Sequence, residues 1–183
     1  MPSSHDPDHG DPGDDLDVPG PPGVRHCRRC GGALAARVVG DRRRPVCVRC
    51  GAITFHNPAV GVAVVLRDDE GRVLLGRRSG SYAGQWCIPC GYVEWEEDVR
   101  GAAAREFREE TGLDVVLGDV VAVHSNFHNS NQHTVGIWFA ATCIGGTLEA
   151  ADDLDAVGFF PPSDPPQPLA FDTDVLVLRQ LAG

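Results

Sequence analysis

Lysine is absent from this chain of 183 residues, and all 16 of its basic residues are arginine. The absence excludes enzymes that form a Schiff base through lysine and phosphate-binding loops that depend on one. Long apolar runs are also lacking, since none reaches the ~20 residues that a membrane-spanning helix needs. The N-terminus has neither the positive nor the apolar segment of a secretory signal, so we expect a cytoplasmic protein with no membrane partner.

Basic residues are fewer than acidic ones, 16 against 26, so the formal net charge is −10. Broad attraction to nucleic acid or anionic lipid is therefore not expected. The charge is unevenly distributed: residues 1–23 contain aspartate but no arginine, whereas residues 24–51 are rich in arginine. These shifts predict a disordered acidic tail over 1–24, a basic module over 25–56 and an acidic domain over 57–183.

Six of the seven cysteines fall in three Cys-x-x-Cys pairs. An odd count in such pairs favours metal thiolates in a reducing compartment over a disulfide framework. Cys27 and Cys30 are followed after 16 residues by Cys47 and Cys50, a spacing typical of a zinc ribbon. The nearby arginines either form a solvated surface or contact nucleic acid. Few aromatic residues accompany them for base stacking, so nucleic acid is not the expected partner.

The third pair, Cys87 and Cys90, lies in the sequence WCIPC and resembles a thioredoxin-type redox motif. Such a motif requires its first cysteine at a helix N-terminus, where the helix dipole lowers the thiol pKa. Here the pair runs directly into the turn expected at Gly91. Redox catalysis is therefore not predicted, whereas reversible oxidation of the pair stays open.

The strongest pattern occupies residues 91–113, GYVEWEEDVRGAAAREFREETGL. Asp98 is placed to cap a helix that runs to Thr111, and Gly112 is placed to end it. In such a helix, three carboxylates share a ~100° arc. They belong to Glu106, Glu109 and Glu110. Hard oxygen ligands crowded on one face suit Mg²⁺ or Mn²⁺, which would offset their mutual repulsion.

This segment matches the Nudix box, Gly-x5-Glu-x7-Arg-Glu-U-x-Glu-Glu-x-Gly-U, where U is bulky and apolar. The resemblance implies an α/β fold, an α/β/α sandwich with a mixed sheet, that hydrolyses a pyrophosphate bond with divalent metal ions. It implies metal ligation by the three glutamates and by a backbone carbonyl of Cys90 or Gly91. It further implies that Arg105 orients the glutamates and that Glu97 lies in or beside the metal shell. Glu96 departs from the family, which usually has glycine there.

The flanking segments supply further candidates. Val60–Leu66 and Arg72–Gly76 predict a hairpin, and Arg77 and Arg78 follow where the family commonly has a phosphate-binding arginine. Strands are predicted at Val120–His124 and Thr134–Cys143, and a closing helix at Asp172–Leu181. Many family members place a further metal ligand or a general base in the region of Asp152 and Asp155. A surface acidic loop is the alternative for this run.

The chain resembles the branch of the family in which a four-cysteine ribbon is fused to a Nudix domain. This branch includes NADH pyrophosphatases and FAD or ADP-ribose pyrophosphatases. Phe55 matches an aromatic position after the ribbon, where it would either stack on a nucleobase or pack in the core. NADH pyrophosphatases have a proline-rich segment after the box, whereas the equivalent stretch here, VVAVHSNFHNSNQHTVGIWF, has no proline. FAD or ADP-ribose, cleaved to release AMP, is therefore expected ahead of NADH.

Two alternatives to a dinucleotide pyrophosphatase stay open. The protein could be a nucleoside triphosphate pyrophosphohydrolase or a non-catalytic ligand sensor. Sensors of this family usually have damaged boxes, whereas every fixed position of the box is filled here. The resemblance also allows a homodimer, since many family members form one.

Overall fold

A computed structural model describes residues 23–183 of the chain. The contacts divide this part of the chain into two compact units, with the division after Asn57. The boundary predicted from the sequence lies after residue 56. The predicted acidic tail falls almost wholly outside the described residues. Within those residues, no helix is long and apolar enough to cross a membrane.

The first unit is built on a hairpin of two strands, β1 (Leu34–Val39) and β2 (Arg42–Cys47). Their antiparallel register pairs Leu34 with Cys47 at the open end of the hairpin. Gly40 turns the chain between the strands with a φ of 67°, a left-handed conformation that glycine adopts without steric cost. The hairpin thereby holds Cys47, at the end of β2, beside the start of β1, which follows Cys27 and Cys30 in the chain.

The second unit contains two sheets and two helices. Its strands are β3 (Ala59–Leu66), β4 (Val73–Arg78), β5 (Trp86–Cys87), β6 (Cys90–Tyr92), β7 (Leu113–Asn126), β8 (Thr134–Gly146) and β9 (Leu154–Phe160). Its helices are α1 (Val99–Thr111) and α2 (Asp172–Ala182). The four-stranded sheet has the order β6-β3-β8-β7, and the three-stranded sheet has the order β5-β4-β9.

Strand β3 is buried on both faces, which explains its unbroken apolar sequence. Val62 and Val64 point to one side and pack with Phe107 of α1. Ala63 and Val65 point to the other side, because side chains alternate along a strand, and pack with residues of α2. Because β3 pairs parallel with β8 and antiparallel with β6, the sheet is mixed. The predicted α/β sandwich with a mixed sheet is confirmed.

The hairpin predicted from Val60–Leu66 and Arg72–Gly76 is only partly correct. The turn forms, with the backbone N–H of Asp68 bonded to the carbonyl of Arg72 at 3.0 Å. The two strands nevertheless enter different sheets. Both are apolar on both faces and therefore suited to a central position. Each strand already has a partner on either side. Strand β3 lies between β6 and β8, and β4 lies between β5 and β9.

Candidate active site

Helix α1 begins and ends where the sequence predicted. The carboxylate of Asp98 accepts bonds from the backbone N–H groups of Arg100 and Gly101, at 2.9 and 3.1 Å. Gly112 follows the helix with a φ of 71°, and its N–H bonds to the carbonyl of Arg108. Both caps satisfy backbone groups that a helix end leaves unpaired, so the register of the glutamates on α1 is well determined.

Two glutamates of α1 lie against the strand that precedes it. Glu110 is only 1% exposed, and its Oε2 accepts the backbone N–H of Cys90 at 2.8 Å. Glu106 lies so close to Gly91 that a Cβ on Gly91 would be 2.0 Å from its Cδ. No residue other than glycine fits at position 91 without moving this carboxylate, which explains the first fixed position of the sequence pattern.

Arg105 links the remaining acidic residues of the segment. Its Nε and Nη2 donate to the two carboxylate oxygens of Glu97, at 2.8 and 2.9 Å. Its Nη1 lies 3.0 Å from both Glu106 and Glu109. The two-pronged ion pair with Arg105 lowers the pKa of Glu97 to about 2. Arg105 therefore ties the loop before α1 to the acidic face of the helix.

A cavity of about 370 Å³ opens at this face. Its acidic wall consists of Glu106, Glu110, Asp152 and Asp153, with Cys90 and Gly91 beside them. Burial raises the pKa of Glu106, and burial with the nearby Asp153 raises the pKa of Glu110 to about 10. Burial therefore opposes the charged form of both carboxylates. Asp153 also has a buried oxygen, Oδ1, with no hydrogen-bond partner among the described residues.

Other residues of the lining are cationic or aromatic. The guanidinium of Arg78 forms an ion pair with Asp153 and lies 5.6 Å from the ring centre of Phe171. Phe171, Tyr82 and His128 pack against one another with ring centres 5.0 to 5.5 Å apart. All three line the cavity, and we call them the aromatic trio. Burial lowers the pKa of His128, which favours its neutral ring.

The structure brings together only part of the site that the sequence predicted. Cys90, Gly91, Glu106, Glu110, Asp152 and Arg78 line the cavity, whereas Glu97, Arg105, Glu109, Arg77 and Asp155 are outside its lining. Arg77 and Asp155 instead form an exposed ion pair at 2.7 Å. Phe55 belongs to the first unit, where its ring is 59% exposed and faces the guanidinium of Arg44 at 4.9 Å.

Among the cavity residues that sequence reasoning missed are Asp153 as a candidate ligand, Tyr82, Phe171 and Asp174. Asp174 is 2% exposed, and its two oxygens accept the N–H of Ile88 at 3.0 Å and the indole N–H of Trp138 at 3.3 Å. In the sequence it looks like an ordinary acidic residue in the first turn of a helix. Only its unusual burial distinguishes it.

Asp174 should make the stability of the protein depend on pH. Burial raises its pKa to about 7, although Arg78 nearby opposes the shift, and Cys90 is a further titratable neighbour. The folded protein therefore holds this proton more tightly than the unfolded chain. The stability that Asp174 contributes is full below its unfolded pKa of 3.8 and is lost as the pH rises through about 7.

Urea unfolding between pH 4 and 8 checks this expectation. The difference in free energy of unfolding between the wild type and Asp174→Asn should decrease with pH, by at most about 1.4 kcal/mol per pH unit. It should level off above pH 7. A difference that does not change with pH would contradict the assignment.

Glu96, which replaces the usual glycine, has a left-handed backbone with a φ of 65°. A left-handed backbone costs a residue with a side chain ~1–2 kcal/mol in steric strain. Glycine avoids this strain, and the additional chain entropy that it loses on folding costs only ~0.5–1 kcal/mol. We therefore expect Glu96→Gly to raise the free energy of unfolding by up to ~1 kcal/mol. Glu94→Gly, in the same loop at a residue without positive φ, is the control and should lower it.

Four thiols converge in the first unit. Those of Cys27, Cys30, Cys47 and Cys50 place their sulfurs within 4.8 Å of one another. Within residues 23–183, this is the one such group of three or more cysteine, histidine or acidic side chains. The Sγ atoms of Cys27 and Cys50 are 3.8 Å apart, and those of Cys30 and Cys47 are 3.5 Å apart. Tetrahedral metal–sulfur bonds of ~2.3 Å place sulfurs ~3.8 Å apart, so these thiols can hold a metal ion.

The backbone around the thiols repeats the same turn twice. The N–H of Gly31 bonds to the carbonyl of Cys27, and the N–H of Gly51 bonds to that of Cys47, at 2.8 and 3.0 Å. Both glycines have a positive φ, of 71° and 70°. The N–H of Cys50 points at the sulfur of Cys47 and lowers the pKa of that thiol. A readily formed thiolate favours metal binding.

Comparisons with known proteins identify the family of the second unit. The NUDIX domain family matches residues 57–180. An ADP-ribose pyrophosphatase of Methanocaldococcus jannaschii is 34% identical over 124 residues, which are 67% of this chain and 73% of that protein. A CTP pyrophosphohydrolase of Escherichia coli is 33% identical over 113 residues, which are 61% of this chain and 83% of that protein.

Similarity to solved structures extends further along the chain. The crystal structure of a Nudix hydrolase from Nitrosomonas europaea has 29% identity and a TM-score of 0.70, covering 87% of this chain and 89% of that chain. The family match spans the second unit, which contains α1 and the cavity beside it. The chain therefore belongs to the Nudix hydrolase family.

Proposed function

We propose that this enzyme hydrolyses the pyrophosphate bond of a nucleoside diphosphate derivative with the help of Mg²⁺ or Mn²⁺. The observation that carries the proposal is the buried carboxylate of Glu110, which faces a cavity together with Glu106. A buried carboxylate without a cation is costly, and a divalent ion would restore its charged form. The site is thus suited to a cation and to the phosphate groups that accompany one.

The acidic wall fits a hard divalent cation. Glu106, Glu110, Asp152 and Asp153 offer only oxygen ligands, and one oxygen of Asp153 is buried and unpartnered within the described chain. The four carboxylates are spread too widely to enclose an ion by themselves, which leaves coordination positions for phosphate and water. When bound, such a cation supplies charge to the phosphate oxygens and acidity to a water molecule.

The chain's own residues would divide the remaining work. Arg78 lines the cavity between the acidic wall and the aromatic trio, where its guanidinium can bind a phosphate oxygen. Arg105 holds Glu97, Glu106 and Glu109 in place by ion pairs. The proton of the attacking water would go to Asp152, which lines the cavity, rather than to Asp155, which is paired with Arg77 outside it.

An ADP-ribose-type molecule or FAD, cleaved to AMP and a second phosphate, is the proposed substrate class. The relative from Methanocaldococcus jannaschii is an ADP-ribose pyrophosphatase and aligns with two thirds of this chain. The aromatic trio offers π surfaces for a planar group beside the phosphate-binding region. A nucleoside triphosphate is the second candidate, favoured by the similarity to a CTP pyrophosphohydrolase.

A panel of substrates decides between these classes. We expect kcat/KM with Mg²⁺ or Mn²⁺ to be highest for ADP-ribose or FAD, with AMP as a product and NADH a poorer substrate. The panel should include ATP, CTP and GTP, with the products identified by chromatography. A nucleoside triphosphate that exceeded the dinucleotides by more than ~10-fold, or ~1.4 kcal/mol of transition-state stabilisation, would replace the proposed class.

The four thiols of the first unit are proposed to bind one zinc ion with a structural role. Four thiolates close the tetrahedral shell and leave no position for a substrate, which distinguishes a structural site from a catalytic one. The unit buries a small apolar group around Leu34, Cys27 and Cys47. So small a core would gain most of its stability from the metal bonds.

A further inference from the structure

The first unit carries a strong positive charge. Residues 24–57 contain eight arginines and a single acidic residue, Asp41. Residues 58–183 have the opposite balance, with 19 acidic residues and eight arginines. The first unit stays positive when four thiolates hold a zinc ion, because that group is only modestly negative. A basic unit in an otherwise acidic chain indicates an anionic partner.

A segment after the second cysteine pair adds a third edge to the hairpin of β1 and β2. It pairs antiparallel with β2, and the N–H of Thr54 bonds to the carbonyl of Pro45 at 2.8 Å. One residue further along, the same register places Phe55 beside Arg44. The guanidinium of Arg44 lies 4.9 Å from the centre of the ring, which agrees with this placement.

Three arginines and this ring share one face of the hairpin. Arg37 is the register partner of Arg44, so their side chains point to the same side. Arg42 lies two residues from Arg44 on β2 and therefore points to that side as well. Arg37 and Arg42 are exposed, and Phe55 is 59% exposed. We call Arg37, Arg42, Arg44 and Phe55 the arginine face.

The arginine face lacks a counter-charge within the described chain. Among the ion pairs of residues 23–183, none involves Arg37, Arg42 or Arg44. Like charges directly opposite each other on a hairpin are destabilising, and Arg37 and Arg44 stand in that relation. An anion bound between them would turn this repulsion into attraction.

The four thiols belong to the other side of the hairpin. Leu34 and Cys47 are register partners there and pack together with Cys27. Arg43 lies four residues before Cys47 on β2 and therefore also points away from the arginine face. The arginine face is thus separate from the side that binds the metal, and its charge serves another purpose.

Arginines beside an exposed aromatic ring suit a single-stranded nucleic acid. Guanidinium groups bind phosphate oxygens with two parallel hydrogen bonds, and an aromatic ring stacks on an unpaired base. A duplex keeps its bases stacked inside and would leave the ring unused. The sequence alone shows no aromatic residue among these arginines, whereas the fold brings Phe55 beside Arg44 from beyond the second cysteine pair.

We propose that the arginine face binds a single-stranded nucleic acid, with its phosphates on the three arginines and an unpaired base on Phe55. The inference goes beyond the proposed function, because the arginine face lies in the first unit and uses none of the cavity. The acidic remainder of the chain does not prevent binding. Charges more than ~10 Å away are largely screened at 0.1 M salt.

Fluorescence anisotropy with a labelled single strand of 12 adenine nucleotides, which contains no diphosphate, tests the charge contacts. Each phosphate contact contributes ~0.7 to the salt slope, so three contacts predict ~20-fold weaker binding at 200 mM than at 50 mM salt. Arg37→Ala should weaken binding ~8-fold at 50 mM and reduce the salt effect to ~7-fold. Arg43→Ala, which removes the same charge from the other side of the hairpin, is the matched control and should keep the ~20-fold effect. Equal losses in the two variants, or no binding by the wild type, would overturn the proposal.

Phe55→Leu tests the stacking contact, and an abasic strand of the same length is the comparison probe. We expect Phe55→Leu to bind the adenine strand ~10-fold more weakly with an unchanged salt effect, and to bind the abasic strand as the wild type does. The wild type should also bind a duplex of the same length more weakly than the single strand. An equal loss for both strands, no loss for the adenine strand, or tighter binding of the duplex would contradict the proposal.

Discussion

Replacing Glu110 with glutamine is expected to lower kcat by at least ~100-fold, which is ~2.7 kcal/mol of transition-state stabilisation. Glutamine has the same size, and its oxygen can still accept the N–H of Cys90, but it cannot offer a charged ligand to a cation. The fold should survive, because burial already favours the neutral form of Glu110 and raises its pKa to about 10. Steady-state kinetics and thermal unfolding of the purified variant check both statements.

Glu106→Gln should lower kcat by a similar factor, since Glu106 lines the same cavity as Glu110. Glu70→Gln is the control. Glu70 is an exposed residue of the turn before β4, and within the described part of the chain its ion pair is with Arg72. Near-normal kcat in both cavity variants would mean that the acidic face of α1 is not the catalytic centre.

The double substitution Cys27→Ser and Cys47→Ser is expected to abolish zinc binding in the first unit. Each pair of thiols would lose one sulfur, and serine is a poor zinc ligand at neutral pH. Structural zinc contributes ~10–16 kcal/mol in small zinc modules, so the hairpin of β1 and β2 should lose its order. Metal analysis should find about one zinc per wild-type chain, and proteolysis should reveal new cleavage sites before Asn57.

Cys143→Ser serves as the control for this experiment. Cys143 is exposed and lies outside the four-thiol group, so its replacement should leave the zinc content unchanged. Full zinc content in the double variant would refute the zinc assignment.

Local signals explain what the sequence predicted well. Helix α1 is determined by Asp98 and Gly112, whose cap bonds involve only neighbouring residues. The apolar runs of β3 and β4 indicate strands buried on both faces, although not the separate sheets they join. The spacing of the four cysteines predicts a cluster because each pair forms its own turn around glycine.

Long-range register explains what the sequence could not predict. Between Arg77 and Arg78 the pairing of β4 with β9 shifts at a bulge. Since a shift of one residue exchanges the two faces of a strand, it decides which arginine and which aspartate face the cavity. Arg78 and Asp153 lie inside, whereas Arg77 and Asp155 pair outside. No composition or spacing in the chain reveals such a bulge.

The packing of the aromatic trio could not be predicted from the sequence, for a related reason. Tyr82, His128 and Phe171 come from three loops that are far apart in the chain, and each alone looks like an ordinary loop residue. Their contact depends on how the two sheets and α2 pack.

Binding of Mn²⁺, followed by electron paramagnetic resonance, tests most directly whether the α1 carboxylates hold the cation that hydrolysis requires. The wild type and the double variant Glu106→Gln/Glu110→Gln would be titrated under identical conditions and compared with their hydrolysis rates. We expect the variant to lose at least one Mn²⁺ site, with affinity lowered at least ~10-fold, or ~1.4 kcal/mol. Equal Mn²⁺ binding by the two proteins would contradict the account.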